Sequence, residues 1–431
     1  MQFLNYFLEY NRYLNILGIA VILAIAVLFS KKRSHISGLL IFHALLVQLV
    51  IAFLVLKTWV GQEVVATCAA GIGRLYKFAD DGIRFVFGSL ADPSGPWGFI
   101  FAIKVLPIII FFGALTALLF HWKIIQYVVA GMNIVLRPLL RTSGPETLCA
   151  AANSFLGQTE APLLIRNYLK HMTKSEMLVV MVSGMATISG AIMAVFAAMG
   201  VPVQHMLASS VMSIPGSIMI AKILYPAPSS STEDGLPSGY KKDEPSPILE
   251  PTTTNAFDAV ATGTCDGLNL AINVGAMLIA FLAFLGLVNF FLGTASDCIN
   301  AVLTGVGSGL QLPSLSIDLI FAYLFAPFGY LLGFTGREAL LAGQLLGTKV
   351  AVNELIAYGD LVNLHVSDRM LTIMTYALCG FSNFSCIGIQ IGGIGALVPE
   401  RRGWLTELGL YAVLGGALSN LLSAMIAGLL L

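Results

Sequence analysis

Charge is what this chain has least of. Asp, Glu, Lys and Arg make up only 11% of its 431 residues, against about 25% in an ordinary soluble domain. So few charged groups cannot cover a water-facing surface on a chain this long. With 57% hydrophobic residues and a mean hydropathy of +0.86, the chain belongs in a bilayer. Its 23 basic residues balance 23 acidic ones, so nucleic acid finds no electrostatic footprint. Cysteine is scarce too: six residues, at 68, 149, 265, 298, 379 and 386, form no C-x-x-C pair and suggest neither zinc nor a disulfide frame. A P-loop is missing, which leaves ATP drive unsupported. No A-x-A-type cleavage site follows the first apolar segment, so it reads as a retained span rather than a signal peptide. His43, His121, His171, His205 and His365 are scattered near expected span ends, without partners at ligand spacing, and read as interfacial.

What is present in quantity is apolar sequence. Stretches of roughly 20 residues, long enough to span, fall at 14–30, 34–56, 98–120, 175–200, 203–224, 267–293, 370–396 and 404–431. That predicts eight spans. Segments 59–92, 122–142 and 315–334 mix charges or polar residues into apolar runs and read as interfacial. Residues 226–255, rich in Pro, Ser and Thr, read as a flexible hydrophilic loop. Two stretches, 145–170 and 336–361, are apolar but interrupted. Each is expected to be a re-entrant hairpin of two short helical pieces around a polar tip, because non-helical backbone at that depth must be buried in protein or line a cavity.

The tips carry the most informative residues. Gly157-Gln158-Thr159-Glu160 and Asn353-Glu354 each place a carboxylate in membrane-embedded sequence. A carboxylate there is costly and marks a pathway or a partner. The two glutamates are 194 residues apart. Around each runs the same order: interfacial segment, hairpin, broken span, final span, at 122–224 and again at 315–431. Three spans per repeat invert the second copy. Paired polar breaks in corresponding halves point to a transporter's substrate site.

Gln158, Thr159 and Glu160 supply a carbonyl, an amide, a hydroxyl and a carboxylate, a set suited to a polar heterocycle or a sugar. The competing reading is a structural knot between half-helices. Glu354 can accept two hydrogen bonds from vicinal hydroxyls, as on ribose; its competing partner is Lys349. Span seven is interrupted at Phe381-Ser382-Asn383-Phe384-Ser385-Cys386, and span four at Ala186-Thr187-Ile188-Ser189-Gly190. Unwound carbonyls there can coordinate a cation, although Ser and Thr also sit harmlessly in membrane helices. Asn153 with Thr187 could form an oxygen cage for Na⁺, or Asn153 could be interhelical glue, as Asn273 in span six is expected to be.

Lys and Arg fall at Lys31-Lys32-Arg33, at Lys123, Arg137 and Arg141, at Arg166, Lys170 and Lys174, and at Arg401-Arg402. With eight spans, all four groups share one side, expected to be cytoplasmic. Both termini are then outside.

Three runs, in order, resemble the concentrative nucleoside transporters: Gly157-Gln158-Thr159-Glu160-Ala161-Pro162; Gly347-Thr348-Lys349 through Asn353-Glu354 to Ala357-Tyr358; and Asn383-Phe384-Ser385 with Ile387-Gly388-Ile389-Gln390-Ile391-Gly392. The likeness covers roughly 95–430, preceded by a bacterial-type N-terminus of two further spans.

The resemblance implies an all-α, elevator-type transporter in a homotrimer. Its eight spans, two hairpins and interfacial helices form an inverted repeat, and it imports nucleosides across the inner membrane on a cation gradient, Na⁺ favoured and H⁺ the alternative. The implied division is a scaffold at 1–121 and 256–334, a first transport repeat at 122–224, a cytoplasmic loop at 225–255 and a second repeat at 335–431. Gln158, Thr159 and Glu160 would meet the nucleobase, with Ile192 beside it. Glu354, Phe381, Asn383 and Cys386 would meet the ribose, where Cys386 stands at a position that is usually Ser. The implied sodium ligands are Asn153, the Leu156 carbonyl, Thr187 and the Ile188 carbonyl. Membrane lipid is the other implied partner. Two rival classes remain: an intramembrane hydrolase using Glu160 and Glu354 as acid and base, and a channel. The hydrolase reading lacks a nucleophile–base pair at recognisable spacing.

Overall fold

A computed structural model describes residues 6–92, 94–98, 100–140, 142–227, 253–305, 311 and 313–431. The described residues are helical, with no strand among them. Three helices precede span three: α1 (Arg12–Leu28), α2 (Gly38–Lys57) and α3 (Trp59–Phe87). Ser37 caps α2 by accepting from Leu40 N at 3.3 Å, and Thr58 caps α3 by accepting from Gly61 N at 3.1 Å, the usual work of a hydroxyl before a helix. Span three, α4 (Phe101–His121), is followed by α5 (Ile124–Leu140) where an interfacial segment was expected.

The first hairpin begins with α6 (Gly144–Ala152). Its start is fixed by Ser143 and Glu146 in a capping box, Ser143 N donating to Glu146 Oε1 at 2.8 Å. The returning arm differs from the expected second α-helical piece. It is a 3₁₀ segment, Ala161–Ile165, followed by turns.

Span four is broken as the sequence indicates, into α7 (Lys174–Ala186) and α8 (Gly190–Ala198). Span five is α9 (Val203–Leu224). The loop expected at 226–255 lies outside the described residues apart from 226–227 and 253–255. Span six is far longer than the expected 267–293: α10 (Ala256–Gly305) runs unbroken for 50 residues. Nothing in its sequence stops it earlier, since 256–305 contains no proline.

The second repeat follows the same plan. α11 (Ile317–Leu331) turns through 115° into α12 (Gly336–Ala351), the first arm of hairpin two, and α13 (Glu354–Asn363) returns. Span seven is split into α14 (Asp368–Leu378) and α15 (Phe384–Leu397). Span eight is α16 (Arg402–Leu430). Seven helices have membrane length and apolarity among the described residues. Span seven is the eighth crossing, made of two halves that are each too short alone. Its break, at 379–383, comes slightly earlier than the motif suggests, because Phe384, Ser385 and Cys386 already belong to α15.

The hairpins open at opposite ends. At one end of α1, Lys31 N bonds Leu224 O at 2.9 Å. There Lys222, near the end of α9, pairs with Glu146 of hairpin one at 2.7 Å. Lys174 pairs with Glu407 and Arg401 donates to Lys170 O, so residues from three of the four basic groups meet at this end. At the other end of α1, Asn11 Nδ2 donates to Gly333 O, just ahead of hairpin two, and Arg369 donates to Gly428 O near the end of α16. That is the inverted repeat.

α1 lies on α16, and α2 lies on α9. α4 packs along α10 through small residues: a Cβ on Gly263 would come within 2.6 Å of both Gly113 O and the Ala117 Cβ. Close backbone approach of this kind holds membrane helices together where there is no hydrophobic drive between them.

Candidate functional site

The two hairpin tips are joined by α15. At its start Asn383 is the N-cap, its Oδ1 accepting from Cys386 N at 3.0 Å and from the Ser385 hydroxyl at 2.7 Å. Capping fixes the amide's orientation, so Nδ2 points at hairpin two and donates to Glu354 Oε2 at 2.9 Å. Two turns further along the same face, Gln390 Nε2 donates to Gln158 Oε1 of hairpin one at 3.0 Å and to Met181 O at 2.9 Å. Residues seven apart in a helix are separated by about 10 Å along its axis. One face of one half-helix therefore carries Asn383, Cys386 and Gln390 between two carboxylate-bearing tips.

Glu354 is buried, and it is the first residue of α13, where the helix N-terminus favours negative charge. Asn353 is not aimed at a ligand: it caps α13, accepting from Ile356 N at 2.9 Å. The competing ion pair is absent, for Lys349 donates to Ala377 O and to Asn420 Oδ1, not to Glu354. Glu160 behaves differently. It alone is exposed within 153–160, although Gly157 N reaches Glu160 Oε2 at 3.4 Å.

Hairpin one is seated by close contacts. A Cβ on Gly184 would lie 2.8 Å from the Gln158 Cβ, and one on Gly393 would lie 2.6 Å from the Thr159 Cγ2. Gly190 N bonds Phe155 O at 3.0 Å, tying the tip to the start of α8. Ser189 caps α8 by accepting from Ile192 N at 3.4 Å, which places Ile192 in that first turn, nearly buried. Phe381 is half-buried in the span-seven break.

Beside this lies a second cluster. Asn153 is fully buried at the end of α6, and its Nδ2 donates to Ser183 Oγ at 3.0 Å. Thr187, in the span-four break, donates its hydroxyl to Ser183 O at 2.9 Å. Ser183 thus gathers the two predicted sodium ligands. Leu156 and Ile188 are buried with them. The Asn153 Oδ1 is buried without a hydrogen-bond partner. An orphaned buried oxygen calls for an occupant, and an amide oxygen near a hydroxyl is the kind of hard-oxygen donor a small cation takes. The residues fit Na⁺.

Three family models cover the chain: Na⁺ dependent nucleoside transporter N-terminus over 17–90, nucleoside recognition (Gate) over 102–202, and Na⁺ dependent nucleoside transporter C-terminus over 205–428. An uncharacterized transporter of Haemophilus influenzae is 42% identical, the match covering 96% of this chain and 97% of that one. Nucleoside permease NupC of Helicobacter pylori is 38% identical over 96% of this chain and 97% of its own.

The chain belongs to the concentrative nucleoside transporter family. Its fold agrees: the structure of CNTnw in an inward-facing substrate-bound state superposes with a TM-score of 0.86 at 35% identity, over 97% of this chain and 98% of that one. It is therefore a cation-coupled nucleoside transporter of elevator type, not an enzyme. The hydrolase and channel readings find no support among its relatives.

Within this transporter, sequence reasoning missed three residues. Gln390 was visible in the third motif, but as one polar residue in an apolar run it carried no role. Ser183 has the signal of a hydroxyl one turn before Thr187. Asn420 sits in span eight among small residues and bonds both broken helices, through Ala186 O and Cys379 O at 2.7 Å each. Two further polar residues are placed by the structure. Asn273 is exposed on α10 rather than packed within the chain. His205 is partly buried at the start of α9 and meets the Tyr376 hydroxyl at 3.2 Å.

Proposed function

We propose that nucleoside binds along α15 between the tips, with Gln158, Thr159 and Glu160 reading the base beside Ile192. Glu354, Phe381, Asn383 and Cys386 take the ribose. The observation that carries this reading is the pair of bonds from one helix face, Asn383 to Glu354 and Gln390 to Gln158. They fix a buried carboxylate and a buried amide about two turns apart along that helix. Amide and carboxylate groups held this way are pre-oriented for base edge and ribose hydroxyls.

The coupling ion in this reading is Na⁺, held by Asn153, the Leu156 carbonyl, Thr187 and the Ile188 carbonyl. An ion there would brace the base of tip one, five residues before Gln158, so ion and substrate would favour the same arrangement. Mutual enhancement of affinity follows, since linkage is reciprocal for binding. Proton coupling is the alternative.

The moving unit is proposed as the two hairpins with spans four, five, seven and eight, and with α1 and α2 carried on α16 and α9. This departs from the sequence expectation, which put the first two spans in the scaffold. The static unit is then α4 and α10 with the interfacial helices. A homotrimer built on α10 suits that helix: only 6% of its most apolar stretch is buried in the protomer, and Asn273 is exposed on it. A polar residue at membrane depth seeks a partner helix. The basic end is proposed to face the cytoplasm of the inner membrane, with both termini outside.

The test is counterflow in proteoliposomes. Unlabelled internal uridine or adenosine should drive uptake of labelled nucleoside, more so with an inward sodium gradient. Uptake that ignores internal nucleoside would exclude a carrier.

A further inference from the structure

Lys349 has no place in the substrate site or in the ion cluster, yet it is 1% exposed near the end of α12. An isolated buried ammonium is costly and must be compensated. Glu354, five residues on, attracts its charge without touching it, its carboxylate being bonded by Asn383 instead. Its ammonium donates to Ala377 O at 2.8 Å and to Asn420 Oδ1 at 2.7 Å. Ser382 adds its hydroxyl to the same oxygen at 3.4 Å. Asn420 spends both amide hydrogens on Ala186 O and Cys379 O. Ala186 ends α7, while Ala377 and Cys379 flank the end of α14. These are the breaks of spans four and seven. Half-helix C-termini carry unpaired carbonyls and partial negative charge, and in broken-helix transporters such ends coordinate coupling ions.

Of the buried asparagines near the breaks, Asn153 and Asn420 make a contrast. Asn153 leaves its Oδ1 unpartnered beside span four. Asn420 has its Oδ1 filled, and what fills it is the Lys349 nitrogen. We propose that Lys349 is a tethered cation, occupying between the two broken spans the position where an exchangeable ion would otherwise sit, so that hairpin two is locked to both breaks and the Asn153 cluster is the one remaining exchangeable ion site. Lys349 is a positioning residue: it acts on substrate through the breaks and through hairpin two, without touching it. The inference rests on the nucleoside-transport reading above.

The experiment measures uridine binding to purified protein by calorimetry. Lys349→Met keeps the bulk and removes the charge; it should weaken uridine binding by about 10-fold or more. Lys349→Ala should be equally weakened and partly restored by n-propylammonium chloride, but not by choline chloride at equal ionic strength. A lysine present only for packing would be replaced well by Met and would ignore propylammonium, so either result overturns the proposal. If neither variant folds, wild type still decides. Reversal potentials in proteoliposomes should give one cation per nucleoside, and two would overturn it. Failure of wild type to bind nucleoside at all would instead sink the transport reading, whatever the variants do.

Discussion

At the scale of single residues, the site depends on amides that hold other groups. Glu354 is buried with one protein donor, Asn383 Nδ2, which leaves acceptor capacity for substrate hydroxyls. Glu354→Gln should lower ribonucleoside transport by ~10-fold or more, because a neutral amide presents a donor where two acceptors were needed. Initial uridine uptake rates at subsaturating substrate check this, and wild-type rates would reject the assignment. Gln390→Leu loses the bond that orients Gln158. One neutral hydrogen bond is worth about 0.5–1.5 kcal/mol, so affinity should fall roughly 2- to 12-fold. Cys386 is buried on the same face, a weak donor where the family pattern usually has Ser. Cys386→Ser should sharpen the preference for uridine over 2′-deoxyuridine or 3′-deoxyuridine in competition assays. Identical inhibition profiles would leave the thiol as packing. The carboxylates were legible in the sequence because a charge in an apolar run stands out. Gln390 and Asn420 were not, because their importance lies in which distant carbonyls they reach, and spacing along the chain does not record that.

At the scale of elements, local chemistry dictates where helices stop. Ser143 with Glu146, Thr173 with Glu176, Ser189, Asn353, Ser367 and Asn383 each cap a half-helix. Capping residues interrupt apolar runs with Ser, Thr or Asn, and that is why hairpins and broken spans were legible. The 3₁₀ arm of hairpin one and the length of α10 were not: the first has no local sequence signal, and the second rests on the lack of any stop signal. Glycine sets how closely the elements meet. Gly393→Ala would drive a methyl into Thr159, with the Cβ 2.6 Å from Cγ2. Overpacking of this kind costs about 1–3 kcal/mol. Transport should drop several-fold while the purified variant elutes like wild type on size exclusion. Unchanged uptake would mean that tip one is not held against α15 during transport.

At the scale of the whole molecule, the order of elements was readable as a repeat, and the grouping of spans into a static and a moving unit is the part that experiment must decide. Nothing in the sequence of α1 or α2 says which neighbour they choose, since apolar faces in a bilayer are interchangeable until small residues and polar contacts select a partner. α2 offers Gln48, whose Nε2 bonds Ser423 of α16 at 3.0 Å and which crowds Gly216 of α9. The proposed moving unit therefore includes α2. In a background lacking the native cysteines, bridging Gln48→Cys to Gly216→Cys with a short bifunctional thiol reagent should leave uptake intact. Bridging Phe112→Cys on α4 to Ala194→Cys on α8, which share a buried cluster, should stop it. The reverse pattern would return α2 to the scaffold.

The central claim is that a cation at the Asn153 cluster and a nucleoside at the tips stabilise one arrangement. The most direct measurement is uridine affinity of the purified protein by calorimetry, across sodium concentrations balanced with choline and at two pH values. Affinity should rise with sodium, sodium affinity should rise by the same factor with uridine, and Asn153→Leu should abolish both effects. A uridine affinity that follows pH and is indifferent to the exchange of sodium for choline would contradict the account.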